Sequence, residues 1–498
     1  MANLARILVE AAGSYPDRPA VRQDDVVLTY REFDRRSSRV AGWARQRGQR
    51  PGDRVGVLLP NVAQFPILYY GLLRAGVVVV PMNPLLKARE VNHCLTDSGA
   101  QTILAWHAAE GARDGAAAAG ADYIVIGPDG SELDDAEPDS AITERGMHET
   151  AVILYTSGTT GTPKGAELTH ANLNRNAELS ARQLLGLGTD DVVMGCLPLF
   201  HTFGQTCALN AATISGASIT LLPRFDPQRA LEVIQRDRVT VFAGVPTMYT
   251  ALAAVPDKTA VPTLRLCISG GAALPVEVLR NFEAAYNCQI LEGYGLSETS
   301  PVVSFNRSGH RKVGSIGSPI DGVSMRLVDD SGADVANGDV GEIAVRGHNV
   351  MAGYWHQPEA TAAAMADGWL RTGDLARMDA DGFFFIVDRK KDMIIRGGFN
   401  VYPREIEEVL YEHPKILEAA VIGIPHPTHG EEVVAVVVVD GAATITADEV
   451  RAYVKARVAP YKYPRQVWFL DALPKGPTGK VLKRRIAVLQ SAQASTTT

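Results

Sequence analysis

The sequence predicts an α/β protein: a large N-terminal domain of parallel α/β sheets with a small β unit, and a small C-terminal α+β domain. Three observations lead there. Apolar, β-branched runs at residues 54–59, 77–80, 151–155 and 239–242 alternate with helical-period segments such as 227–236 and 275–286, the pattern of a parallel sheet covered on both faces. The chain has 498 residues, and because single cores stop growing at about 250–300 residues, at least two domains are expected. Beyond residue 300 the texture changes to short strands punctuated by glycine.

Taken in order, residues 1–11 interrupt their apolar positions with Arg6 and Glu10, which reads as a short amphipathic helix and not a signal peptide. The longest apolar stretch, 65–82, contains Arg74 and Gly76. It reads as a buried helix (65–74) and a buried strand (76–80) stopped by Pro81, not as a membrane span. Residues 108–121 are expected as surface helix or loop, and 127–137 as a polar connection. From Gly314 the strands 324–328, 341–345 and 383–387 make a small antiparallel unit. The charge run Asp388-Arg389-Lys390-Lys391-Asp392 and Gly397-Gly398 follow, then helix 404–412, strands 419–424 and 432–439, and helix 447–457, a complete small domain. The expected division is 1–388, a hinge at 389–391, a C-terminal domain at 392–490 and a disordered tail at 491–498.

Composition narrows the function classes. A net charge of -7 lacks the basic excess that nucleic acid rewards, and 46% hydrophobic residues exclude disorder. Cys94, Cys196, Cys207, Cys267 and Cys288 are scattered, with no CxxC pair, which argues for a reducing compartment, the cytoplasm, and against structural zinc.

The strongest chemical signal is Tyr155-Thr156-Ser157-Gly158-Thr159-Thr160-Gly161-Thr162-Pro163-Lys164-Gly165, placed between an apolar strand and a helix expected from Asn172. Its glycines let the backbone approach an anion, its hydroxyls and N–H groups can donate to phosphate oxygens, and Lys164 adds a positive charge. The spacing is not that of a GxxxxGK[ST] loop. Four further segments stand out: Gly293-Tyr294-Gly295-Leu296-Ser297-Glu298-Thr299, Leu370-Arg371-Thr372-Gly373-Asp374, Asp388 to Lys391, and Pro474-Lys475-Gly476-Pro477-Thr478-Gly479-Lys480. By its residues alone each also has a plain reading: a buried tyrosine beside a solvated glutamate, a turn aspartate, a solvated charge run, a loop lysine.

These five segments, in this order and over almost the whole chain, resemble the signature of the adenylate-forming superfamily, which includes acyl-CoA synthetases, aryl-CoA ligases, amino-acid-activating domains and beetle luciferases. The resemblance implies ATP, Mg²⁺ and coenzyme A as co-substrates and a mobile C-terminal domain. It implies that residues 156–162 and Lys164 hold phosphates, and that Glu298 offers an oxygen to Mg²⁺ while Thr299 donates to a phosphate. Gly293, Tyr294, Gly295, Gly271 and Ala272 would surround adenine, and Asp374 with Arg389 would take the ribose diol. Lys480 would stabilise carboxylate attack on the α-phosphate. His201, in Pro198-Leu199-Phe200-His201, matches a positioning group beside the acyl carboxylate, although a lone histidine on an apolar segment is also an ordinary core residue. Lys391 matches the hinge, and Gly397 and Gly398 a pantetheine channel. Ile395 stands where luciferases and plant aryl ligases carry lysine.

The implied chemistry is acid activation to acyl-AMP with release of pyrophosphate, then transfer to the thiol of CoA. The acyl pocket is expected from 201–205, 244–248, 269–273 and 300–303, which carry no arginine or lysine. A second carboxylate would go unpaired there, so a hydrophobic monocarboxylate is expected: first a medium- or long-chain fatty acid, then an aryl or polycyclic acid. Loading of a carrier protein in place of CoA is the remaining alternative. The partners are thus small molecules, with no nucleic acid or integral membrane segment, and a homodimer is allowed for.

Overall fold

The computed structural model describes residues 3–133, 136–156, 162–256, 260–439, 444–476 and 479–486. Ser157, Gly158, Thr159, Thr160 and Gly161, Pro477 and Thr478, and the tail 491–498 lie outside the described residues.

Two large sheets form the N-terminal part. In the seven-stranded sheet, Val78–Pro81 sits between Arg54–Leu58 and Thr150–Thr156 and is parallel to both, with Thr102–Trp106 and Asp122–Ile126 extending one side. Every residue of Val78–Pro81 is buried, as a parallel central strand requires. Pro81 belongs to this strand and pairs with Val57; the next N–H, of Met82, donates to the Val57 carbonyl, so the proline ends the ladder from within. The helix Gln64–Arg74 before it is buried at all but its first residue. The nine-stranded sheet runs parallel through Ile290–Gly295, Leu266–Ser269, Val241–Gly244, Val192–Gly195 and Ser218–Leu221, and turns antiparallel at Val302–Phe305 and Ser318–Pro319.

The strand and helix expected around the glycine-rich motif are present, as Thr150–Thr156 and His170–Leu179. Between them Lys164–Thr169 is a further strand, antiparallel to Thr150–Thr156 with Thr156 opposite Lys164, so the two described ends of the motif stand side by side. The reason is legible afterwards: Ala166, Leu168 and the Ile153–Leu154 pair alternate toward buried faces with period two.

The antiparallel unit is a five-stranded sheet of Val323–Val328, Gly341–Gly347, Trp369–Met378, Met365–Ala366 and Phe384–Arg389. The C-terminal part has its own sheet, in which Ile416–His426 and Gly430–Val439 pair along their full length and Gln466–Phe469 joins in parallel. Helices Pro403–Tyr411 and Ala447–Lys455 cover one face. The hydrophobic cores separate accordingly, one group drawing on residues 4–384 and another on 394–486. Among the described residues no helix is long and apolar enough to cross a membrane.

Candidate active site

The site is assembled where the strand ends of both large sheets meet the antiparallel sheet and the last loop of the C-terminal part. Glu298 lies on a short 3₁₀ turn after Ile290–Gly295. Its Oε1 accepts the Thr156 hydroxyl at 3.3 Å and the Tyr354 hydroxyl at 3.0 Å, which ties it to the phosphate hairpin and to the strand Gly353–Tyr354 beside it. The Lys164 ammonium lies 5.1 Å from the centre of the Tyr354 ring, a cation–π distance. The hairpin base is held from the helix Ala88–Ser98: the Tyr155 hydroxyl donates to Asp97 at 2.7 Å, and His93 Nε2 meets the Pro163 carbonyl at 2.9 Å. Thr162 is exposed.

Thr299 behaves differently from expectation. Fully buried, its hydroxyl accepts the Leu296 N–H at 2.8 Å and donates to the Pro301 carbonyl at 2.6 Å, so it braces the turn that presents Glu298 and is spent within the protein.

Asp374, expected at a turn, instead lies in the ten-residue strand Trp369–Met378, directly opposite Arg389 of the next strand. Its Oδ1 accepts Arg389 Nε at 2.8 Å and its Oδ2 accepts the Tyr294 hydroxyl at 2.6 Å. The three form a unit drawn from three strands. Burial and the adjacent Asp374 charge push the Tyr294 phenol well above its ordinary range, so it stays a donor.

A pocket opens beside Tyr294. Phe203, Cys207, Pro301, Val302 and Phe305 line it with apolar surface, Ser269 to Gly271 and Gly293 to Gly295 supply backbone, and His201 stands among them. No acidic or basic side chain other than His201 lines it. Of residues 244–248, expected in its wall, Val245 and Thr247 receive the Lys480 loop, with the Thr247 hydroxyl donating to the Gly479 carbonyl at 3.3 Å. Gly479 has φ +77°, and a Cβ there would stand 2.8 Å from Val245, so only glycine lets the loop come this close. Burial and the nearby Arg389 charge bring the Lys480 ammonium down to about 8; burial and Lys480 bring His201 down to about 4, leaving a neutral imidazole near neutral pH.

Gly397 and Gly398 are exposed and make the two-residue turn between Ile394–Arg396 and Phe399–Val401, with φ +57° and +82°. Such a turn demands glycine for its own sake, and neither residue lines the pocket. Lys391 is exposed in the link between the two groups of cores. Gly271 lines the pocket and Ala272 lies just beyond it.

The donor set can be tested against the co-substrates. Among the described residues no cluster of three or more histidine, cysteine or acidic side chains could cage a metal. Glu298 alone, with an oxygen beyond the two hydroxyl contacts, suits a Mg²⁺ ion held mainly by phosphates and water.

Comparison with known families places the whole chain. Residues 8–355 match the AMP-binding enzyme family and residues 405–480 match the AMP-binding enzyme C-terminal domain. The chain belongs to the AMP-binding enzyme family. This AMP-binding enzyme is 37% identical over 528 residues to a long-chain-fatty-acid–CoA ligase of Bacillus subtilis (strain 168), covering 97% of the chain and 94% of the relative. It is 40% identical over 482 residues to a feruloyl-CoA synthase of Amycolatopsis sp, covering 96% and 97%. ATP-bound MatB from Rhodopseudomonas palustris superposes with a TM-score of 0.92 at 36% identity, covering 98% of each chain. The AMP-binding enzyme is thus an acid–CoA ligase of the adenylate-forming type that uses ATP and CoA.

The sequence reading missed Tyr354, His93 and Asp97. None stands in a glycine-rich or charged motif, and only the pairing of the strand Gly353–Tyr354 and the docking of the helix Ala88–Ser98 bring them to the hairpin.

Proposed function

We propose that this ligase activates a hydrophobic monocarboxylic acid, first a medium- or long-chain fatty acid, as its acyl-adenylate and passes the acyl group to CoA. The observation that carries this is the pocket: apolar walls, a neutral His201, and no cation to pair a second carboxylate. In this reading Asp374, Arg389 and Tyr294 hold the ribose and adenine side, the hairpin residues 156–164 hold the phosphates, and Glu298 offers its free oxygen to Mg²⁺. Lys480, whose loop is docked on Thr247 through the Gly479 carbonyl, faces both reacting anions and stabilises the charge that develops between them. The division at 389–391 is proposed as the hinge about which the C-terminal domain moves before thioester formation. Five free, buried thiols support a reducing compartment, the cytoplasm.

A second reading, an aryl acid, is favoured by one observation: Phe203, Tyr294 and Phe305 give the pocket three aromatic rings, a surface suited to a flat ring, and the Amycolatopsis relative is a feruloyl-CoA synthase.

ATP/pyrophosphate exchange across a panel of acids tests both. Fatty acids of about C6 to C18 should support exchange; silence with all of them while ferulate or benzoate responds would replace the first reading by the second. Formation of acyl-CoA without any carrier protein would remove the carrier-loading alternative.

A further inference from the structure

The joint between the two parts of the chain contains a polar contact that the chemistry above does not use. Helix Val276–Tyr286 of the large domain begins after Pro275, and the Val276 N–H, one of the donors a helix leaves open at its start, donates to Glu408 Oε2 at 3.1 Å. Glu408 belongs to the C-terminal helix Pro403–Tyr411. On the same helix, Arg404 lies 3.5 Å from Glu408 Oε1 and donates from Nη1 to the Ile386 carbonyl at 2.9 Å, while its N–H donates to Asp388 Oδ2 at 2.9 Å. Facing them is Glu292, 3% exposed, with Oε1 accepting the Leu274 N–H at 3.1 Å and Oε2 buried without a partner. Glu292 directly precedes Gly293 and Tyr294 of the candidate site, so the joint and the site share one strand.

We propose that Glu408 is a positioning residue for the adenylation half-reaction: by capping the helix Val276–Tyr286 it seats the C-terminal domain in the arrangement that docks the Lys480 loop, through Gly479, on Val245 and Thr247. This rests on the ligase reading above, in which Lys480 serves adenylation and the domain moves before thioester formation. The physical case is that Glu408, Arg404 and the Gly479 carbonyl are the named polar ties across the joint, and each must break when the domain turns. An acceptor at a helix start stabilises it by hydrogen bonding to an open N–H, whether or not burial, which pushes the Glu408 carboxyl up, leaves it charged. Arg404 close by compensates the carboxylate, and Glu292, pushed up to about 7 by burial, accommodates a second acidic group near it by holding a proton.

The test separates the two half-reactions in the full-length enzyme, using the acid of fastest wild-type exchange and its synthetic acyl-adenylate. E408A should lower pyrophosphate exchange about tenfold, the worth of a lost cap, while thioester formation from supplied acyl-adenylate and CoA stays within about twofold. E408Q, whose amide oxygen can still accept the Val276 N–H, should recover part of the exchange. V276P deletes the donor from the other side of the joint at a helix position that tolerates proline and should reproduce the E408A split even if E408A folds poorly. Equal loss of both half-reactions in E408A and V276P, or unchanged exchange, would overturn the proposal. Amide hydrogen exchange over residues 274–279 reads the contact whether or not any acid is activated: E408A should speed it, and unchanged protection would overturn the proposal independently of the ligase reading.

Discussion

Lys480 is the residue whose environment makes the sharpest prediction. Its ammonium titrates near 8 because burial and Arg389 disfavour the charge. The charged form is the useful one, so pyrophosphate exchange should fall as pH rises through about 8, about tenfold per unit well above it. His201, neutral above about 4, contributes no such limb. K480R should move the limb beyond pH 10, and K480A should abolish exchange while sparing thioester formation from acyl-adenylate; a limb that stays near 8 in K480R would assign it to another group. Asp374 gives a second prediction. D374A leaves Arg389 and the Tyr294 hydroxyl without their shared acceptor in a largely buried place. A loss of about 2–3 kcal/mol in binding free energy, roughly a hundredfold in KM for ATP, is expected from steady-state kinetics. These residue identities were readable as motifs. Their mutual contacts were not, because Asp374, Arg389 and Tyr294 come together only through pairing of strands far apart in sequence.

At the scale of elements, the hairpin Ile290–Gly295 with Val302–Phe305 carries the pocket, and its glycines are not equivalent. A Cβ on Gly295 would stand 1.7 Å from the Pro301 carbonyl oxygen, a backbone atom that cannot retreat alone, whereas one on Gly293 would meet the Phe305 ring at 2.5 Å. G295A should therefore cost more than G293A, by about 1–3 kcal/mol in denaturant unfolding. G293A should instead narrow the acyl pocket and shift the preferred acid toward smaller ones in the exchange panel, because the ring it displaces is a pocket wall. The helix 227–236 was read from sequence to the residue, since Asp226 caps it and proline opens it. Buried strands were found within about two residues from their apolar runs. The strand at 150–156 and the helix after the motif were legible, but the strand Lys164–Thr169 between them was not, because it is a short run directly ahead of a capped helix and nothing local says which neighbour it pairs with.

For the whole molecule, two separate groups of cores, joined by the polar ties named above and by Tyr411 packed against the large core, predict unfolding in more than one step. Calorimetry should show two transitions, with a non-hydrolysable acyl-adenylate analogue raising the transition of the large part by about 2.7 kcal/mol at a hundredfold excess over its Kd. A single transition would mean that the joint is stronger than its hydrogen bonds suggest.

The sequence by itself determined the fold class, the family and the identity of nearly every charged group in the cleft, because apolar periodicity and short motifs are local and survive reading along one line. The tertiary structure alone decided which of those groups are already committed. Thr299 is spent on its own turn, Val245 and Thr247 dock the Lys480 loop, and Gly397 with Gly398 satisfies a hairpin. It also supplied Tyr354, His93, Asp97 and Glu408, ordinary residues in ordinary segments. Their importance comes from partners 56 to 132 residues away in the cases of Tyr354, Asp97, His93 and Glu408. Hydrogen-bond partners at such separations depend on sheet pairing and domain docking, which a linear pattern does not specify.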